Sequence, residues 1–354
     1  MEEQLIRTGL RRGRLRPPAP GREPAGALLV EAGGLPDGAR CHIGLDSKGH
    51  CLFFDAPGGR LCAIHRDLGP EALPSACRHF PRLALIAPQG VSVSLSHYCP
   101  TAAGLLFDDR VSLAIVTQPS AFPSDAEYEG LDARGHVPPL LRPGVLLGWD
   151  AHERWEAHLV TLFAREDAAP EAAVARLGRL ARAAAAWSLR DGPFDSFFST
   201  LLERDSTEAG RDSLPPPRDE GDSIRRLWER VIEATAPGLP KPPFPAAFED
   251  LWTRCVASGW ERRRRFVNRY LAARGFASWY ALLAPSLEAA THALAAALAV
   301  LKVECVRRAE SEGSILDAED LREAIRASDL RIVHHARPEV LGELLATGVI
   351  QSPK

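Results

Sequence analysis

The chain contains no Cys-x-x-Cys knuckle in its 354 residues, which removes the usual zinc-ribbon and ferredoxin spacings. It also lacks a P-loop, a Gly-x-Ser-x-Gly elbow, a His-Glu-x-x-His pair and a dinucleotide-binding glycine fingerprint. No catalytic constellation can therefore be read from motifs. No run of apolar residues approaches the ~18 to 20 needed to span a bilayer; the best stretch, Ala289 to Val300, is alanine-rich and closed off by Lys302 and Glu304. The N-terminal sequence MEEQLIRTGLRRGRLRPP has no apolar core of the kind a signal peptide needs. A formal net charge of −3 gives no overall electrostatic pull toward nucleic acid or a membrane surface. These absences lead to the expectation of a soluble, cytoplasmic protein with no specific nucleic-acid partner and no membrane association, its oligomeric state left open.

What is present is a concentration of soft metal ligands. Residues 41–103 hold five of the seven cysteines, Cys41, Cys51, Cys62, Cys77 and Cys99, and five of the eleven histidines, His42, His50, His65, His79 and His97. Thiolates favour zinc, copper(I) and iron–sulfur clusters, and clustered cysteines in a reducing compartment serve metal or redox chemistry more often than disulfides. From Cys51 the cysteines are separated by ten, fourteen and twenty-one residues. Ligands so far apart can still converge, because loop-closure entropy rises only ~0.6 kcal/mol per doubling of loop length. Spacing alone leaves a second reading open: buried thiols acting as small apolar core residues. A disulfide framework ranks third, since the cysteine count is odd and the chain long. Arg78 and Arg82 flank Phe80-Pro81, and positive charge beside Cys77 would lower its thiol pKa; a surface or carboxylate-paired role for both arginines is the alternative. His79 and His97 are reserve ligands, although a single histidine is more often a hydrogen-bonded structural residue.

The run Gly59-Arg60-Leu61-Cys62-Ala63-Ile64, then Cys77-Arg78-His79-Phe80-Pro81-Arg82, then Ser94-Leu95-Ser96-His97-Tyr98-Cys99-Pro100-Thr101-Ala102-Ala103 resembles the YkgJ-type cysteine-cluster family. Cys51-Leu52-Phe53-Phe54 resembles the Cys-Pro-Phe-Leu element that precedes this block in that family. Arg269 to Trp279 and Leu321 to His334 are similar to its helical C-terminal half. The family is described as zinc- or iron-chelating and includes the flagellin lysine N-methylases. Its members usually carry a further cysteine group with an adjacent pair near the N-terminus, and this chain has no cysteine before Cys41. The resemblance implies a metal set of Cys51, Cys62, Cys77 and Cys99, with Cys41, His79 and His97 as additional candidates, holding an iron–sulfur cluster or zinc. It also implies an alternative activity as a protein-lysine N-methyltransferase, with S-adenosylmethionine as methyl donor and a protein as substrate. A third reading is a metal-free helical interaction scaffold.

The expected fold class is α+β: a small, loop-rich cysteine-cluster domain with short strands, followed by a mostly α-helical domain. Residues 1–25 carry six arginines and four prolines and read as a disordered basic arm. The cysteine-cluster domain is placed at 26–117, with strands near 27–30, 51–54, 61–64, 83–86 and 91–95 and a turn at Glu31-Ala32-Gly33-Gly34. A connection follows at 118–149, a helical segment at 150–205, a proline-rich linker at 206–222 and a C-terminal helical domain at 223–350. Asp150 is expected to cap the first long helix, Pro170 to open the second and Asp317 to cap a later one. The four arginines 262–265 point in all directions from a helix, so they make no single phosphate-binding face.

Overall fold

The computed structural model of the chain describes residues 1–16, 27–31, 41–44, 46, 51–55, 61–110, 112–117, 130–165, 168–208 and 220–347. They belong to two compact units, Met1–Phe80 and Pro81–Lys354. The division runs through the stretch expected to be one cysteine domain. Cys41, Cys51, Cys62 and Cys77 lie in the first unit and Cys99 in the second. The centre of the proline-rich linker (209–219), the first part of the connection (118–129) and the Ala32-Gly33-Gly34 part of the first turn lie outside the described residues.

The first unit opens with a helix where a disordered arm was expected. Glu2–Arg11 (α1) buries Ile6, and Leu15 follows it into the core, each 1% exposed. The arginines obscured this amphipathic pattern: they occupy the solvent side, while Ile6, Leu10 and Leu15 form an apolar edge. Gly9 lets the helix approach closely, since a Cβ there would come within 2.8 Å of Leu68 Cδ1. Two short antiparallel ladders follow. Leu29–Glu31 (β1) pairs with Cys41–Ile43 (β2), and Phe54–Asp55 (β3) pairs with Leu61–Cys62 (β4). Gly44 donates to Leu28 O and accepts from the Leu52 N–H, which ties one ladder to the segment leading into the other. The strand expected over 61–64 is only two residues long, because Ala63 starts the helix Ala63–Leu68 (α2). A 3-10 turn leads to the short helix Ser75–His79 (α3). Leu52, Phe53, Ile64 and Leu73 join Ile6 and Leu15 in a small core, with Cys51 and Cys62 packed against it.

The second unit begins with the hairpin Arg82–Ala87 (β5) and Gly90–Leu95 (β6), close to the expected strands. Pro100–Leu105 (α4) follows, and Gly130–Asp132 (β7) adds parallel to the free side of β5. Leu140–Arg142 (β8) and Val145–Leu146 (β9) form a second hairpin. Helices dominate from there. Trp149–Phe163 (α5) starts after Gly148 rather than from an Asp150 cap, and Pro170–Ala185 (α6) has its proline in the first turn as expected. Phe194–Glu208 (α7) and Glu220–Ala234 (α8) complete the first helical layer. Phe248–Leu251 (α9) passes through a π turn, Trp252–Val256, into Ala257–Gly275 (α10). Tyr280–Leu283 (α11), Leu287–Glu312 (α12), Ala318–Asp329 (α13), a π turn over Leu330–His335 and Pro338–Thr347 (α14) close the chain. The capping box at the start of α13 pairs Asp317 with Asp320 in both directions.

α12 is the centre of this unit and packs against α6, α8, α10, α13 and α14. It corrects one expectation from sequence: its 26 residues are long and apolar enough to cross a membrane, yet 83% of its most apolar window is buried inside the protein. A helix that is apolar on every side needs neighbours all round, and here protein supplies them. Lys302, buried on α12, reaches Glu171 at 2.8 Å with its ammonium over the rings of Trp252 and Trp260. The arginine run on α10 is spread as its helical spacing requires. Arg263 donates to the carbonyls of Gly259 and Leu316, Arg264 faces Glu261 at 3.8 Å, and Arg265 bonds Asp109 at 2.9 Å.

Candidate functional site

Three of the four expected metal ligands share a neighbourhood in the first unit. Cys51 lies just before β3, Cys62 ends β4, and Cys77 lies within α3. The β3–β4 ladder sets Cys62 opposite Phe54, with Cys51 three residues upstream in the turn. Both Cys51 and Cys62 are close enough to raise the pKa of the Cys77 thiol electrostatically. That thiol is pushed up to about 11, first by removal from water and then by its two cysteine neighbours. The residue as a whole is exposed, so desolvation acts on a thiol set against the protein rather than on a buried side chain.

The arginines expected to favour a thiolate do not do so. Arg78 donates to Glu2 at 2.9 Å and to Leu73 O, and is thereby paired, and the causes of the Cys77 shift are burial and its two cysteine neighbours. A thiol pushed up in this way is held mainly in its protonated form at neutral pH in the absence of metal. The remaining candidates are dispersed. Cys41 is half-buried on β2 opposite Glu31, and His79 is half-buried in the last turn of α3. Cys99 precedes α4 in the second unit. His97, also in the second unit, is 3% exposed, edge-on to Tyr270, and its backbone N–H donates to Asp329 at 2.5 Å. Burial and the nearby Arg274 hold its imidazole down at about 4, against a weaker opposing pull from Asp329. Its ring Nδ1 has no hydrogen bond and lies 3.9 Å from Asp329, so that nitrogen is buried without the hydrogen bond expected of a structural histidine. Among the described residues no three His, Cys, Asp or Glu side chains are already gathered closely enough to hold a metal ion.

The second unit contains a feature that the sequence reading missed: a cavity of about 220 Å³. Its walls include Trp155 of α5, Phe276 and Trp279 in the α10–α11 connection, Tyr280 of α11 and Leu294 of α12. Most polar side chains on the wall already have partners. Ser94 donates to Ala273 O, Trp279 to Ala84 O and Tyr280 to Ile332 O, while His334 Nε2 bonds Ser96 Oγ at 2.8 Å. Arg274 donates to Leu95 O through Nη2, while its Nε, 3.4 Å from Asp329 Oδ1, faces that carboxylate without a hydrogen bond. His152 differs. It is 3% exposed, its Nε2 has no hydrogen bond, and Glu156 Oε1 is 3.9 Å away, one helical turn along α5. Burial holds His152 down at about 4 and pushes Glu156 up to about 8, so both are uncharged near neutrality. Glu156 in turn accepts the Ala277 N–H at 2.7 Å. The His-x-x-x-Glu spacing beside Trp155 was the available signal, and it is indistinguishable from the ordinary pattern of a core helix.

No family model matches this chain, nor does any curated protein or solved structure.

Proposed function

We propose that the first unit is a structural metal site in which Cys51, Cys62 and Cys77 bind zinc. The observation behind this reading is that Cys51, in the turn before β3, and Cys62, on β4, both act electrostatically on the Cys77 thiol of α3. A fourth donor would come from the same unit, Cys41 or His79. Three thiolates with one further cysteine or histidine form a common closed zinc site, whereas an iron–sulfur cluster ordinarily needs four thiolates. Zinc would link segments that otherwise rely on a small core, in a unit below the size at which burial alone is ample. Binding would displace the thiol protons and draw the three sulfurs inward from their metal-free positions. A reducing cytoplasm, in which thiols persist, is the compartment that suits the site.

Cobalt(II) titration of the reduced full chain tests this reading. The expected result is a thiolate-to-cobalt charge-transfer band saturating at one equivalent, with tetrahedral visible bands, lost on adding zinc and absent in Cys77→Ser. Octahedral bands without a charge-transfer feature would refute it.

A further inference from the structure

We propose that the cavity of the second unit binds a small neutral ring compound, bicyclic in size, whose single hydroxyl hydrogen-bonds to His152 Nε2. Four features set the ligand class. The first is volume: a dry cavity of about 150 Å³ holds benzene, so about 220 Å³ accommodates roughly nine to eleven ring atoms. The second is shape and surface, since Trp155, Phe276, Trp279 and Tyr280 present aromatic rings that favour offset or edge contact with a flat ligand. The third is charge. The one guanidinium on the wall, Arg274, already faces Asp329, so a charged ligand would lose its hydration with no counter-ion to replace it.

The fourth feature is the unsatisfied nitrogen. A buried ring nitrogen without a partner costs free energy unless something bonds to it. His152 lines this predominantly apolar space and its Nε2 is such an atom, with Glu156 beside it at 3.9 Å. A hydroxyl serves whichever tautomer the imidazole adopts, because it can donate or accept. A predominantly apolar pocket with one or two orienting polar groups is the usual form of a small-molecule site. This site is wholly within residues 83–338 and is independent of the thiols of the first unit.

Equilibrium dialysis of the full chain against 2-naphthol and against naphthalene tests the proposal, because the two probes differ only in the hydroxyl. The expected result is one saturable site per chain with 2-naphthol about tenfold the tighter, in keeping with one hydrogen bond. His152→Leu should bring the two probes to equal affinity, and Ala290→Phe, which fills the cavity from α12, should abolish both while the helical circular dichroism is retained. If His152→Leu fails to fold, the comparison on the unaltered chain still decides. Absence of a saturable site, or equal binding of the two probes to the unaltered chain, would overturn the proposal.

Discussion

Glu156 Oε1 accepts the backbone N–H of Ala277 at 2.7 Å and so anchors an alanine held at a φ of 52°, in the left-handed region that favours glycine. The contact joins the middle of α5 to the bend between α10 and α11. It places a buried carboxyl where its ionisation would leave a charge without a counter-ion. Backbone strain and a buried acid thus meet at one point on the rim of the cavity, which makes that point sensitive to pH.

Stability should peak near pH 6.5. Glu156 keeps its proton up to about 8 when folded but only to its ordinary 4.5 when unfolded. The folded state holds the extra proton between those values, so its stability falls as pH rises through them. His97 and His152 act in the opposite sense. Folding depresses both from 6.5 to about 4, so the unfolded chain binds the extra protons and stability rises with pH across that window. His292, His334 and His335 are lowered by burial as well and act in the same sense, so the histidines outweigh one carboxyl below pH 6.5, and Glu156 sets the slope from there to about 8. Glu156→Gln keeps an acceptor for Ala277 and should remove a decline on the order of 2 kcal/mol between pH 6.5 and 8. Thermal unfolding across that range provides the check; an unchanged decline in the variant would contradict it.

Ile6→Ala should destabilise the first unit by about 2 to 4 kcal/mol, the usual cost of a cavity in a core. Ile6 is 1% exposed and belongs to the same apolar cluster as Leu52, Phe53 and Ile64. Hydrogen exchange read on α2 and α3 should accelerate in the variant. Unaltered exchange would return α1 to the status of a solvated arm.

Gly259→Ala should be destabilising although it lies within a helix. In an exposed helix the substitution gains about 1 kcal/mol from propensity. Here the new Cβ would lie 2.3 Å from Leu316 O, the carbonyl to which Arg263 also donates. Backbone must shift, and a net loss of about 2 to 3 kcal/mol is expected. Denaturant unfolding gives the sign directly.

Most of the second unit was legible because periodicity and caps agree there. Pro170 opens α6 and Asp317 caps α13 as their positions suggest. The apolar spacing around Trp155, Leu159 and Phe163 marks α5 as a core helix. α1 was missed because arginine-rich composition outweighed a short apolar edge. In the first block the cysteines identified the ligand chemistry, but their linear spacing carried no information on the boundary between Phe80 and Pro81 that separates Cys99 from the other three. His152 and Glu156 were invisible for a related reason. What distinguishes them is the surroundings that α10, α11 and α12 build around α5, and no local pattern encodes that.

Zinc on Cys51, Cys62 and Cys77 is the role we propose for the first unit. The most direct measurement is metal and acid-labile sulfide analysis of the full chain purified without oxygen, beside the three single alanine variants. The account predicts about one zinc per chain, no sulfide, and loss of the metal from each variant. A folded chain containing no metal, or zinc retained at full stoichiometry in all three variants, would contradict it.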